Sequence, residues 1–267
     1  MMRIVQYRLE GVTFDANPHH GGAITPRFIV MHYTAGSSML GSVRAIKDRG
    51  LSAHLFVERD GAVIQTVDFN RQAYHAGEST WRGFNGLNRH SIGIEVANIG
   101  FLDKSTKDGW TRQELRRTYS PEEVVVARHR NGGPQMVWEK FPEAQLQALE
   151  TITRALRLAY PTIQEVVGHD DISPTRKVDP GPAFPMERFR SPPTLRADDA
   201  GEFEVAARDE LNLRGGPGSD FAVLKKLLPG TRLRVLREEG VWRMVDLQGD
   251  GVQDGFVHGA YLRRVGH

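Results

Sequence analysis

Residues 27–36, Arg27-Phe28-Ile29-Val30-Met31-His32-Tyr33-Thr34-Ala35-Gly36, decide how the chain folds. A short β-rich apolar run ends on a histidine, and a loop-forming sequence follows at once. This reads as a buried strand that delivers His32 to its end. Ser91-Ile92-Gly93-Ile94-Glu95-Val96 reads the same way, with Glu95 in its apolar middle. Glu165-Val166-Val167 is a third such run, and it leads into Gly168-His169-Asp170-Asp171-Ile172-Ser173-Pro174-Thr175-Arg176-Lys177-Val178-Asp179-Pro180-Gly181. That Pro-punctuated loop carries an imidazole, an ammonium and carboxylates with little apolar content.

Helical signals separate the strands. Leu40, Val43 and Ile46 stand at helical spacing within 38–48. After Pro142, Leu146, Leu149, Ile152, Leu156 and Ala159 mark one face of a helix that Pro161 stops. Residues 53–57 and 62–67 flank Arg59-Asp60-Gly61 as a hairpin. Alternating strands and helices predict an α/β first domain over 1–190 with a mixed central β-sheet flanked by helices. Residues 101–140 turn polar and rich in Gly and Pro, which reads as a surface excursion with a short helix over 121–128. Residues 191–202 have linker composition. Short apolar runs broken by Gly-rich turns over 203–267 predict a small all-β barrel.

The 35 basic and 33 acidic residues nearly cancel, so no strong field points to nucleic acid. The absence of cysteine excludes disulfides and thiolate ligands, leaving nitrogen and oxygen donors for any metal. No apolar run is long enough to span a bilayer, and the N-terminus lacks a signal-peptide core. The expectation is a protein made in the cytoplasm, with access to other compartments by a holin-type release. Oligomeric state is not encoded in any motif.

His32, His169 and Asp179 form a candidate metal set, two imidazoles and one carboxylate with a fourth position open. Zinc suits that donor set better than calcium or magnesium. A structural hydrogen bond is the competing reading for each histidine, an ion pair for Glu95, and a solvated loop position for Lys177.

Five motifs in fixed order narrow these alternatives. They are Ile29–Gly36, Ser52–Gly61, Ala73-Tyr74-His75-Ala76-Gly77, Asn88–Glu95 and Gly168–Gly181. Together they resemble the zinc-dependent N-acetylmuramoyl-L-alanine amidases of the type-2 family, relatives of phage lysozyme-amidases and peptidoglycan recognition proteins. The resemblance implies one catalytic zinc ion on His32, His169 and Asp179, a catalytic glutamate at Glu95 and a catalytic lysine at Lys177. It implies peptidoglycan or muropeptides as partner, with His75, Tyr74 and Thr34 along the substrate cleft; Tyr74 stands where many relatives carry Trp. His54 is expected to pack or to orient a neighbour. The 203–267 segment is similar to bacterial SH3-like domains that anchor wall hydrolases, with Trp242 and Phe256 as candidate binding aromatics. The implied activity is amide hydrolysis in endolysin-like wall degradation. The rivals are a non-catalytic peptidoglycan-binding protein, a peptidase acting within the stem and a cytoplasmic muropeptide-recycling amidase.

Overall fold

The computed structural model describes residues 2–112, 117–190, 202–249 and 253–265. The chain divides into two units, Met1–Arg190 and Ser191–His267. The linker composition read at 191–202 falls almost entirely outside the described residues.

The first unit is organised by a six-stranded mixed sheet. Its strands are β1 (Thr13–Phe14), β2 (Phe28–Tyr33), β3 (Leu55–Val57), β4 (Val63–Gln65), β5 (Ser91–Val96) and β9 (Glu165–Gly168), in the order β9-β2-β5-β3-β4-β1. The pairs β9·β2, β2·β5 and β5·β3 are parallel, and β3·β4 is an antiparallel hairpin. Side chains alternate across this sheet. Ile29, Met31, Ile92, Ile94, Val96 and Val166 face one cluster, whereas Phe28, Val30 and Val167 belong to another on the opposite face.

Helix α2 (Glu143–Ala159) covers the first face with Leu146, Leu149, Ile152 and Leu156, the stripe its sequence period predicts. Tyr160 caps it and Pro161 follows. Gln145, fully buried on α2, donates from Nε2 to the carbonyls of Val57 (3.1 Å) and Ala97 (3.0 Å), closing the open ends of β3 and β5. Helix α1 (Met39–Asp48) begins at Ser38, whose Oγ accepts from the Gly41 amide at 3.3 Å. It buries Met39 and Val43, with Ile46 packed beside them, while Leu40 is 57% exposed. Leu40 therefore lies off the apolar face that its spacing suggested; Met39 takes that place.

The excursion differs from expectation. Residues 121–123 make a single 3-10 turn, and the chain then extends as β7 (Val124–Arg128) against β8 (Gln135–Glu139), with β6 (Phe101–Leu102) on the other side of β8. No helix spans 121–128. Ser120 and Glu123 form a capping box, but Val124-Val125-Val126 follows, and three β-branched residues favour extension over helical continuation. Glu139 anchors the sheet to the first domain's hairpin. It is buried, accepts from the Ile99 amide at 2.6 Å and pairs with Arg59.

The second unit is an antiparallel seven-stranded sheet: β10 (Glu202–Val205), β11 (Leu211–Arg214), β12 (Val223–Leu227), β13 (Arg232–Glu239), β14 (Trp242–Asp246), β15 (Gly255–His258) and β16 (Leu262–Arg264). The order is β12-β11-β15-β14-β13-β10-β16. Alternate residues such as Leu211, Leu213, Leu233, Val235, Val245 and Val257 form its core. Phe256 is buried between paired strands, so it is not an exposed binding aromatic; Trp242 is half-buried against His258.

Leu149 has no exposed surface and sits at the centre of the α2–sheet contact. Leu149→Ala is expected to lower the unfolding free energy of the first unit by about 2–5 kcal/mol, from lost transfer energy plus the cavity left behind. Urea denaturation followed by tryptophan fluorescence measures it, and a loss below about 1 kcal/mol would contradict the packing described.

Candidate metal centre

Strand register brings the candidate residues together. In the parallel pair β2·β5, His32 lies opposite Glu95, and in β9·β2 Gly168 lies opposite Met31. His169, the residue after Gly168, therefore emerges beside His32. Three adjacent parallel strands thus present His169, His32 and Glu95 at their carboxyl ends, where open α/β sheets place their sites. The 168–181 segment begins with one helical turn, α3 (His169–Ile172), rather than a loop, and then returns Asp179 to the same point. The Asp170 amide donates to the Asp179 carbonyl at 2.8 Å, closing that return.

His32 Nδ1, His169 Nδ1 and Asp179 Oδ2 form a tight triangle with sides of 2.9, 3.0 and 2.9 Å. All three residues are buried, and among the described residues they are the one His/Asp/Glu group whose ligand atoms converge closely enough for a metal ion. The far side of each ring assigns the protons. His169 Nε2 donates to the Ala76 carbonyl at 3.0 Å. His32 Nε2 contacts His75 Nδ1 at 3.0 Å, and His75 Nε2 faces Ser91 Oγ at 3.4 Å. Ser91 Oγ itself donates to the Leu87 carbonyl at 2.6 Å, so protons run outward from His32 through His75 to Ser91.

This assignment leaves both Nδ1 lone pairs pointing at a carboxylate. Burial first, and then the charge of His169, push His32 down to about 4, so its ring is neutral at neutral pH. Three converging lone-pair atoms in a desolvated site call for a cation. Bonds of about 2.1 Å to a tetrahedral zinc ion need ligand atoms about 3.4 Å apart, a few tenths of an ångström beyond those seen. The donor set and its spacing fit zinc.

Glu95 is 8% exposed on the site face and, among the described residues, no ion pair or hydrogen bond engages its carboxylate. Burial, and then the charge of Asp179, raise its pKa well above the ordinary 4.5, while Lys177 pulls it down. The Lys177 charge also reaches His32. Its backbone is fixed by a 2.9 Å bond from its amide to the Ser173 carbonyl. The three residues expected along the cleft lie as follows. Thr34 Oγ1 accepts from the Gly36 amide at 3.2 Å within the loop after β2. Tyr74 is half-buried, its amide held by Ser52 Oγ at 2.8 Å. His75 stands directly behind His32. His54 bridges the Gly93 amide (3.0 Å) and the Arg71 carbonyl (2.8 Å), with its ring 6.0 Å from that of His75.

Three supporting residues were not singled out in the sequence. Gly93 lies under the His75 ring, where a Cβ would come within 2.4 Å of His75 Cγ. An isolated glycine in an otherwise apolar strand is the signal for such a close approach. Asn88 Oδ1 accepts from the amides of His75 (3.0 Å) and Ala76 (2.7 Å). Arg176 donates to the carbonyls of Ala76 and Glu78, both at 2.8 Å, and so fixes the acceptor of His169. Asp170 and Asp171 make ion pairs away from the triangle.

Comparison with known proteins gives the following. A family model described as N-acetylmuramoyl-L-alanine amidase matches residues 22–182, and one described as bacterial SH3 domain matches 209–263. The 1,6-anhydro-N-acetylmuramyl-L-alanine amidase AmpD of Escherichia coli (strain K12) is 35% identical over 141 residues, 52% of this chain and 57% of AmpD. The N-acetylmuramoyl-L-alanine amidase AmiD of the same organism is 31% identical over 190 residues, 67% of this chain and 58% of AmiD. The chain thus spans less than two thirds of the length of these curated relatives. The solved complex of AmiD from E. coli with anhydro-N-acetylmuramic acid-L-Ala-D-gamma-Glu-L-Lys is 26% identical with a TM-score of 0.48, covering 74% of this chain and 68% of that one.

Gly93→Ala is expected to displace His75 and weaken zinc binding about tenfold or more, the scale seen when a partner behind a ligand is disturbed. Competition with a chromophoric chelator measures this, and unchanged affinity would refute the role given to His75. Glu95 supplies a pH test. The folded chain holds the Glu95 proton more tightly than the unfolded chain does. Stability therefore falls as pH rises from about 4.5 toward the raised value. Glu95→Gln removes that decline, so the stability of the metal-free variant relative to the parent should increase between pH 5 and 8. A difference that stays flat across this range in urea titrations would contradict it.

Proposed function

Because the chain belongs to the N-acetylmuramoyl-L-alanine amidase family, we propose that it hydrolyses the amide joining the lactyl group of N-acetylmuramic acid to L-alanine in peptidoglycan. The observation that carries the reading is the buried His32–His169–Asp179 triangle beside Glu95, a buried carboxylate with a raised pKa and, among the described residues, no ion pair. His32, His169 and Asp179 would hold one zinc ion. When bound, zinc supplies a Lewis acid that brings the pKa of water down toward about 7 and polarises a carbonyl.

The chain's own residues then divide the remaining work. Glu95 takes a proton from the attacking water as the oxygen–carbon bond forms. It returns that proton to the alanine nitrogen as the carbon–nitrogen bond breaks, which leaves a lactyl carboxylic acid and a free amine. Glu95 suits both transfers because burial keeps its basicity high. Lys177 offers a cation to the oxygen that gains negative charge, the kind of stabilisation that weighs most in acyl transfer. His75 and Arg176 keep His32 and His169 in their tautomers.

The SH3 match favours polymeric wall over free fragments as substrate, since an anchoring module gives little advantage on a soluble muropeptide. The names of the AmpD relatives favour the alternative, a recycling amidase acting on anhydro-muropeptides. Assays on intact sacculi and on anhydro-muropeptides, with and without residues after Pro193, separate the two. Loss of sacculus activity on truncation supports the wall reading; retention on both substrates supports recycling.

For the chemistry itself, a defined muropeptide should yield peptides with free L-alanine N-termini and an intact lactyl group. Glu95→Gln should lower the rate by about 10²–10⁴-fold while zinc remains bound. Mass spectrometry of the products reads the bond cut. A zinc-loaded protein that releases no such peptide would overturn the amidase reading in favour of a binding protein.

A further inference from the structure

The excursion between β5 and α2 reaches the metal loop through the turn of its β7–β8 hairpin. His129, Arg130 and Asn131 form that turn, and each contacts the segment between His169 and Asp179. His129, 6% exposed, donates from Nε2 to Asp170 Oδ2 at 3.0 Å; its Nδ1 accepts from the Asn131 amide at 3.1 Å, which fixes the ring's tautomer. Arg130 donates to Asp170 Oδ1 at 2.7 Å and pairs with Asp171 Oδ1 at 2.6 Å. Asn131 Nδ2 donates to the backbone carbonyls of Asp170 (3.0 Å) and Pro174 (3.3 Å).

The same sheet touches the other end of the loop. Trp138 on β8 packs over Gly181, where a Cβ would come within 2.8 Å of the indole. Gly181 has φ +76, a left-handed conformation that also favours glycine. One excursion thus grips the ligand loop next to His169 and again two residues after Asp179.

We infer that the β7–β8 hairpin is a positioning element for the metal centre, with Arg130 and Asn131 holding His169 and Asp179 at the spacing that binds zinc. This rests on the zinc reading of the triangle. The physical reason is that His32 stands on a rigid central strand, whereas the other two ligands stand on a segment with one helical turn and two prolines, Pro174 and Pro180. Closing the triangle requires that segment to be held against the sheet, and the hairpin supplies fixed, charge-assisted bonds to do it. Coupling is reciprocal: if the hairpin favours zinc binding, zinc must steady the hairpin.

Zinc affinity of the full chain by chelator competition tests this, with Arg130→Ala, Asn131→Ala and the double variant. The dissociation constant should rise about 10–100-fold in the double variant. Arg130→Lys should restore part of it, because the charge is kept but the forked contact is lost. Val126→Thr, an exposed change on the same hairpin, should leave affinity unchanged. In the metal-free double variant, amides of 170–177 should exchange faster while those of α2 keep their rates. Folded variants with zinc affinity within twofold of the parent overturn the inference. Should the variants not fold, hydrogen exchange of the parent decides: zinc must slow exchange at 129–132, and unchanged rates there overturn the inference equally. Failure of the parent to bind zinc at all would instead overturn the metal reading.

Discussion

Three lone-pair atoms within about 3 Å of one another, out of water, are the constraint on which the first unit depends. Desolvating an imidazole or a carboxylate without a partner costs several kcal/mol. The chain meets that cost by giving each imidazole a fixed acceptor on its far side and by leaving the near sides free. His32 is backed by His75 and Ser91, and His169 by the Ala76 carbonyl. Each backing group is itself held, His75 by Asn88 and by the space over Gly93, Ala76 by Asn88 and Arg176. The outcome is a site whose unsatisfied valence points inward at one spot.

The sheet provides the rigid half of this arrangement. A one-residue slip of β5 against β2 would turn Glu95 toward α2 and place Ile94 or Val96 on the site face. The apolar alternation that packs Ile92, Ile94 and Val96 against α2 therefore also determines where Glu95 points. Core packing and site geometry are one constraint at these strands, which ties the energetics of the hydrophobic layer to the placement of a carboxylate.

That coupling is why so much was legible in the sequence. Strands β2, β5 and β9 and helix α2 follow directly from apolar pattern, and the ordered motifs nominated His32, His169 and Asp179 before any geometry. Leu40 was misread because helical spacing alone does not distinguish it from Met39; the N-cap at Ser38 sets the phase. The 121–128 segment carried a genuine helix-start signal, but the three valines that follow prefer extension, and pairing with β8 settled the competition. Nothing local marks His129, Arg130 or Asn131. Their partners lie about 40 residues away and become adjacent only when β7 and β8 pair. His75 was legible as a site residue, yet its place behind His32 depends on the close approach to Gly93.

Under the proposed chemistry, the basicity of Glu95 is set first by burial and then by two residues of the loop opposite it. Asp179 raises its pKa and Lys177 lowers it, and these two stand only two positions apart. A shift of the loop would change both influences together, along with the spacing of two metal ligands. A strand-borne base facing a loop that carries the ligands, the opposing charge and the cation for the developing oxyanion makes loop position the master variable of the site. Fixing that loop from both ends is then a requirement of the chemistry as much as of the fold, and it gives the charged, polar excursion a reason to contain a buried histidine and a tryptophan.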